Sequence, residues 1–146
     1  MKLQRVYLDT SVLGGCFDPE FAEWSKGLIQ DFRDGVVRPL LSQVVATELQ
    51  DAPRPVQVLY AELLSLDAEI IEATESALEL ADAYQERRIL TPKFYDDGLH
   101  IAVATVGEAD VLVSWNFKHI VRFDKIRRFN AVNLEFGEDG GAVVEA

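Results

Sequence analysis

Two short apolar runs constrain the fold of this chain more than any other feature of its sequence. Val6-Tyr7-Leu8 lies near the start, and Val111-Leu112-Val113 lies within a second predicted strand at 110–114. Both runs are rich in residues that favour strands, and continuous apolar strands are typical of parallel sheets covered on both faces. Segments with helical periodicity separate the predicted strands. The sequence therefore predicts an α/β fold with a mainly parallel sheet covered by helices.

Apolar periodicity and turn residues place the other elements. Strands are expected at 6–8, 36–41, 69–73 and 110–114. Helices are expected at 19–32, 42–49, 54–66, 74–88, 97–106 and 118–130. Pro39 indicates that the second strand is an edge or bulged strand, because proline cannot donate a ladder hydrogen bond. A turn containing Gly14-Gly15 should follow the first strand, and the helix over 19–32 should bring Trp24 and Phe32 near one apolar face.

Length and composition limit the class of protein. The chain has 146 residues, which suits one domain; we expect it over 1–137, with 138–146 as a flexible tail. The formal net charge is −11, from 25 acidic and 14 basic residues, which disfavours non-specific nucleic-acid binding over the whole surface. Cys16 is the single cysteine, so an internal disulfide is excluded. With no apolar run of the ~18 residues that span a membrane, we expect a protein of the reducing cytoplasm.

Three acidic residues and one amide occupy positions that meet at one edge of such a sheet. Asp9 ends the first strand, Glu48 lies on the helix after the second, and Asp97 begins the helix before the last core strand. Asn116 follows that last strand. Clustered carboxylates repel each other unless a hard cation such as Mg²⁺ or Mn²⁺ neutralises them. A bound divalent ion can activate water and polarise a phosphodiester.

Several residues in and around this group also have alternative interpretations. Most aspartates at a strand end cap the next helix or close a turn, so Asp9 alone decides nothing. Asp96 is an alternative to Asp97 as the ligand. Thr10 and Ser11 either orient Asp9 or make ordinary turn hydrogen bonds. Ser114 ends the last core strand and is a further candidate to support the site.

Four stretches, in their order and spacing, resemble the PIN-domain nucleases, in particular the toxin subunits of VapBC-type toxin–antitoxin modules. They are Tyr7 to Leu13, Ala46 to Leu49, Asp97 to Thr105, and Asp110 to Asn116. The resemblance implies an α/β/α sandwich with a metal-binding acidic cleft and an RNA-cleaving activity. It also implies a homodimer and a tightly bound antitoxin protein.

The same resemblance assigns Asp9, Glu48 and Asp97 to the first three acidic positions of the cleft, as ligands of Mg²⁺ or Mn²⁺. The fourth position, which often carries Asp, is Asn116 here. This departure removes one negative charge and puts the occupancy of a second metal in question. Rival α/β classes fit less well: Ser11 stands where a haloacid-dehalogenase-type phosphatase needs a second Asp, and no GxxxxGK[ST] loop follows the first strand.

Histidines, an aromatic residue and a basic segment complete the candidate site. His100 and His119 are candidate acid–base groups, with His100 expected beside the site rather than in it. Trp115 either stacks a base or packs in the core. Five basic residues either contact RNA phosphates beside the acidic cleft or form a solvated helix face. They are Lys118, Arg122, Lys125, Arg127 and Arg128.

The sequence therefore predicts a metal-dependent endoribonuclease, the toxin of a toxin–antitoxin pair. The alternative is a PIN-like module that binds RNA or a partner protein with little or no cleavage. The neutral Asn116 and the net charge of −11 keep this alternative open.

Overall fold

Five parallel strands form the central sheet in the order β3-β2-β1-β4-β5. The computed structural model describes residues 3–137 and the backbone of 143–145. The strands are β1 (Arg5–Leu8), β2 (Arg38–Ser42), β3 (Glu69–Ile71), β4 (Val111–Val113) and β5 (Val143–Glu145). The helices are α1 (Thr10–Gly15), α2 (Ala22–Arg33), α3 (Gln43–Glu48), α4 (Arg54–Ser65), α5 (Glu75–Glu86), α6 (Tyr95–Val106) and α7 (Phe123–Glu135). Short 3₁₀ turns lie at Leu49–Asp51 and Pro92–Phe94.

Alternating side chains of the strands build one core on each face of the sheet. Tyr7, Leu40 and Leu112 pack against α5, α6 and α7, and all three are fully buried. Val6 and Leu8 point to the other face and pack with residues of α1, α2 and α4. Because both faces are covered, the inner positions of the central strands are apolar, at 6–8, 40–41 and 111–113. The α/β fold with a parallel sheet is thus confirmed.

Pro39 does not mark an edge strand, so the edge alternative of that prediction was wrong. β2 lies inside the sheet, with β1 on one side and β3 on the other. The backbone N–H of Arg38 donates to the carbonyl of Gln4 on the β1 side. The next backbone nitrogen, that of Pro39, therefore faces β3, whose pairing with β2 begins only at Leu40. Proline is tolerated here because no ladder donor is used at this position.

The segments around α1, α2 and α7 also differ from prediction. Thr10–Gly15 forms a short helix rather than a simple turn, and α2 begins at Ala22, not at residue 19. Trp24 is 65% exposed, because the buried face of α2 is made by Ser25, Ile29 and Phe32. α7 begins at Phe123, after a series of turns, and continues to Glu135.

The predicted flexible tail, 138–146, lies outside the described residues except for the backbone of Val143–Glu145. That backbone pairs in parallel with β4. None of the helices in the described part of the chain is long and apolar enough to cross a membrane.

Adjacent leucines on α4 allow a matched test of the core. Leu63 is completely buried and Leu64 is 44% exposed. We expect Leu63→Ala to lower the free energy of unfolding by about 2–5 kcal/mol, because it removes buried methyl groups and leaves a cavity. Leu64→Ala should change it by only about 0.5 kcal/mol. Urea unfolding followed by circular dichroism measures both, and equal losses would contradict this assignment of the buried face.

Candidate active site

The register of the sheet places three polar side chains in one row at its carboxyl edge. Tyr7 pairs with Leu40 of β2 and with Leu112 of β4, and these three form an apolar row. Side chains two residues further along each strand return to the same face. The next row therefore consists of Asp9, Ser42 and Ser114, all buried.

Two serine hydroxyls hold the Asp9 carboxylate, which is 3% exposed. Ser11 Oγ donates to Oδ1 and Ser114 Oγ donates to Oδ2, each at 2.6 Å. The same hydroxyl oxygens accept the backbone N–H groups of Trp115 and Asn116, each at 2.9 Å. Burial raises the pKa of Asp9, and the charge of His100 and the serine hydrogen bonds oppose that rise. Asp9 is the N-cap residue of α1 but makes no side-chain capping bond, so its carboxylate is directed to the site instead.

Glu48, the last residue of α3, is held by two donors on a single oxygen. Thr10 Oγ1 donates to Oε1 at 2.7 Å, and His100 Nε2 lies 2.6 Å from the same atom. Burial alone would raise the pKa of Glu48, but the hydrogen bond and charge of His100, with the Thr10 bond, lower it. The Glu48 side chain remains 31% exposed, so the carboxylate still reaches solvent.

His100 lies in the site, although the sequence predicted a position beside it. It is 2% exposed, and its Nδ1 lies 2.6 Å from the hydroxyl of Tyr7. Burial lowers the pKa of His100, but the hydrogen bond to Glu48 and the charges of Asp9, Glu48 and Asp97 outweigh burial and raise it. The available signal was its spacing, because residues three apart on a helix lie on neighbouring surface positions and Asp97 precedes it by three.

Asp97 stands on the first turn of α6 and lies near the side chain of Asn116. Asn116 Oδ1 accepts the backbone N–H of His119 at 3.0 Å. Burial raises the pKa of Asp97 and the charge of Asp9 adds to the rise, while His119 and Asn116 oppose it. Asp96 is exposed and lines a shallow cleft of about 200 Å³ together with Glu48.

The oxygen atoms of these side chains are suitable ligands for a hard divalent cation. The side chains do not, however, all converge on one point. Among residues 3–137, no three His, Cys, Asp or Glu side chains are close enough to hold one ion. Asp9 and Asp97 are nevertheless oxygen donors whose raised pKa values reflect burial and, at Asp97, mutual repulsion. Added positive charge would stabilise these two carboxylates in their ionised form, and Mg²⁺ and Mn²⁺ prefer oxygen ligands. The donor set therefore fits these ions in kind.

His119 is a buried imidazole on the Asp97 side of the site. Its ring stacks on Phe94, with 3.9 Å between the centroids, and both ring nitrogens lack a hydrogen-bond partner within the described part of the chain. Burial lowers the pKa of His119, and the nearby charge of Asp97 acts against that shift. The lowered pKa favours the neutral imidazole next to Asp97.

The five basic residues divide into two groups. Lys118, Arg122 and Lys125 are close enough to His119 for their charges to lower its pKa. Arg128 instead donates to the carbonyl of Arg87 at 3.0 Å, and Arg127 lies over the ring of Phe123. The first group is therefore the one shown to lie near His119, although Lys125 also donates to the carbonyl of Ile89 and Arg122 to Asp124.

Trp115 packs rather than presenting a free ring. It stacks on Phe21, with centroids 5.1 Å apart, and its indole N–H donates to Ser25 Oγ at 2.7 Å. This geometry favours the core interpretation of Trp115 over base stacking.

A neutral residue at position 9 should stabilise the metal-free protein at pH 7. Because the folded-state pKa of Asp9 is raised, the native state keeps a proton that the unfolded chain has lost, and stability falls as pH rises through that pKa. Asp9→Asn has no ionisable group at this position, so its stability should not fall in this way as the pH rises. The gain in the free energy of unfolding should therefore be largest at pH 7 and disappear under acidic conditions in which both states are protonated.

Urea unfolding at a series of pH values measures this effect, with Asp31→Asn on the exposed surface of α2 as the control. An Asp9→Asn variant that is less stable than the wild type at pH 7 would show that the hydrogen bonds of the serines outweigh the cost of burying the charge.

No family model matches this chain, and no curated protein matches it. Among solved structures, it is similar to a chain of VapBC2 from Rickettsia felis, crystallised with a DNA fragment from the promoter. The two are 17% identical, the similarity covers 97% of this chain and 98% of that chain, and the TM-score is 0.58. At this identity the similarity shows the fold alone. It confirms the PIN-like α/β/α architecture.

Proposed function

We propose that the protein is a metal-dependent endoribonuclease and the toxin of a toxin–antitoxin pair. The observation that carries this proposal is the placement of Asp9 and Asp97, two carboxylates with raised pKa values, at one sheet edge beside Glu48. The PIN-like fold and the similarity to a VapBC2 chain support it. Asp9, Glu48 and Asp97 match in kind and in order the first three acidic positions that the resemblance assigns to the nuclease site, and Asn116 stands at the fourth.

Asp9, Glu48 and Asp97 would hold Mg²⁺ or Mn²⁺. When bound, the ion supplies positive charge that stabilises an attacked phosphodiester and makes water more acidic. Ser11 and Ser114 hold Asp9, while Thr10 and His100 hold Glu48, so two of the three carboxylates are oriented before substrate arrives. Lys118, Arg122 and Lys125 would contact the RNA backbone beside them. His119, whose lowered pKa favours the neutral imidazole near Asp97, would take up or return a proton.

Partner binding is proposed from surface features and from the resemblance. An apolar cavity of about 480 Å³ lies between the start of α4 and the region around Phe17, with Val58 and Leu59 in its wall. Val58 is 58% exposed and Phe17 is 54% exposed. We propose that this face receives the antitoxin, and that the protein acts in the cytoplasm as a homodimer.

A second candidate function is binding without efficient cleavage. Asn116 contributes no charge, and no three His, Cys, Asp or Glu side chains among residues 3–137 are close enough to hold one ion. These two features favour a weak cation site and hence a PIN-like module that binds RNA or a partner protein. Incubation of purified protein with RNA, with and without Mn²⁺, separates the two functions.

The leading function predicts that Asp97→Asn lowers Mn²⁺-dependent cleavage by at least about 100-fold. Loss of residues that only support metal ligands already costs about 10–100-fold, so loss of a ligand should cost more. The assay is cleavage of labelled RNA, with Asp31→Asn as the matched control and circular dichroism to verify folding. Activity of Asp97→Asn near that of the wild type would remove the proposed mechanism.

Asn116→Asp should strengthen metal binding. The substitution replaces an amide near Asp97 with a second carboxylate, which adds negative charge next to a group whose pKa is already raised. We expect the Mn²⁺ concentration for half-maximal activity to fall by about tenfold. Calorimetric titration should show a matching gain in affinity and, in the wild type, only one tightly held ion without RNA. An unchanged metal requirement would place position 116 outside the metal site.

The division of the basic residues predicts which of them bind RNA. Replacing Lys118 and Arg122 by Ala should reduce the salt dependence of RNA binding by about one unit of slope for each phosphate that the variant no longer neutralises. Arg127 and Arg128 replaced together should change that slope less, because neither is among the basic residues whose charges act on His119. Fluorescence anisotropy at several salt concentrations, with the catalytically inactive Asp97→Asn background, measures both slopes. Equal slopes for the two double variants would contradict the division.

A further inference from the structure

Tyr7 and His100 form a buried hydrogen-bonded chain that ends on Glu48. The hydroxyl of Tyr7 lies 2.8 Å from Ser42 Oγ and 2.6 Å from His100 Nδ1. The other ring nitrogen of His100, Nε2, lies 2.6 Å from Glu48 Oε1. Tyr7 and Ser42 are completely buried and His100 is 2% exposed, so none of these three side chains can contact RNA directly.

In this hydrogen-bonded chain of side chains, the donor and acceptor are fixed at the end that contacts Glu48. An ionised carboxylate only accepts hydrogen bonds, so His100 Nε2 must carry a proton and donate to Glu48. In the neutral ring, Nδ1 then accepts the phenol O–H of Tyr7, and the Tyr7 oxygen accepts the hydroxyl of Ser42. Every polar atom of the chain is then satisfied, as buried polar groups require. The Tyr7 hydroxyl thereby selects the tautomer that donates to Glu48.

A second donor reaches the same oxygen from a different element. Thr10, the first residue of α1, donates to Glu48 Oε1 at 2.7 Å, and Thr10 directly follows Asp9 in the chain. The two donors together fix the carboxylate through Oε1. The other oxygen, Oε2, is the one available to a ligand.

We propose that Tyr7 and His100 are positioning residues that set the orientation of the Glu48 carboxylate for cation binding. This inference rests on the proposed function, because it gives the pair a role at the same site. Because Tyr7 lies in the central strand, the hydrogen bonds from Tyr7 through His100 also link the orientation of the Glu48 carboxylate to the register of the sheet. Neither residue touches substrate or cation, and both act through Glu48.

Tyr7→Phe tests the proposal by removing one oxygen atom. We expect the Mn²⁺ affinity measured by calorimetry to fall about 10–100-fold, the usual effect of losing a supporting partner of a ligand. The kcat for RNA cleavage should fall with it, while the KM for RNA stays within about twofold of the wild-type value because Tyr7 does not reach the surface. Tyr60→Phe, which removes a phenol oxygen on α4, is the matched control. Wild-type Mn²⁺ affinity in Tyr7→Phe would overturn the proposal.

Substitutions of His100 keep the test decisive if Tyr7→Phe does not fold. His100→Gln retains an N–H donor for Glu48 without the help of Tyr7, whereas His100→Leu retains none. The proposal expects Mn²⁺ to bind more tightly to His100→Gln than to His100→Leu. Equal affinities in two folded variants would overturn it.

A metal-free measurement separates this inference from the proposed function. ¹⁵N NMR of the His100 ring in the metal-free protein, at a pH at which the ring is neutral, should show the proton on Nε2 in the wild type, and loss of that preference in Tyr7→Phe. If the wild type neither binds Mn²⁺ nor cleaves RNA, the proposed function fails, and the role in cation binding fails with it, whatever the NMR result. If the wild type does both and Tyr7→Phe leaves the tautomer unchanged, the positioning role alone fails.

Discussion

The buried carboxylate of Asp9 at the end of the central strand is the interaction on which the rest of the candidate site depends. A charged group in this position costs several kcal/mol unless donors satisfy it. Ser11 and Ser114 supply the donors, and each then accepts a backbone N–H from the loop after β4. Satisfying one charge therefore fixes the path of the chain from Ser114 to Asn116. The loop that carries Asn116 is ordered around Asp9 before any ligand binds.

The carboxylates of the site divide by environment rather than by residue type. Burial raises the pKa values of Asp9 and Asp97, whereas Glu48 keeps a lowered pKa because His100 and Thr10 donate to it. His100, whose pKa is raised, can carry positive charge beside all three. At low pH this imidazolium would compete with a cation for the same negative charge. The proposed nuclease should therefore need more Mg²⁺ or Mn²⁺ as the pH falls.

The sequence predicted the structure correctly where the relevant contacts are local or where apolar residues recur with a simple period. It failed where the contacts depend on packing between segments that are distant in sequence. The apolar runs predicted the parallel sheet, and the strand ends predicted which edge would carry Asp9 and Asn116. Pro39 was misjudged because its tolerance depends on where β3 begins to pair, which no local pattern reveals. His100 was underestimated because its partners Tyr7 and Glu48 are 93 and 52 residues away in sequence. Their contact depends on how α3 and α6 meet over the sheet.

The same register that packs the core also assembles the polar row of the site. Tyr7, Leu40 and Leu112 are aligned across three strands because each buries its side chain on the α5 and α6 face. Asp9, Ser42 and Ser114 lie two residues further along and share that face as a consequence. A slip of one residue in β2 would bury Ser42 on the opposite face and leave Tyr7 without its hydroxyl partner. Packing of the apolar row therefore also aligns the polar row, and the register alone accounts for the positions of Asp9 and Ser114.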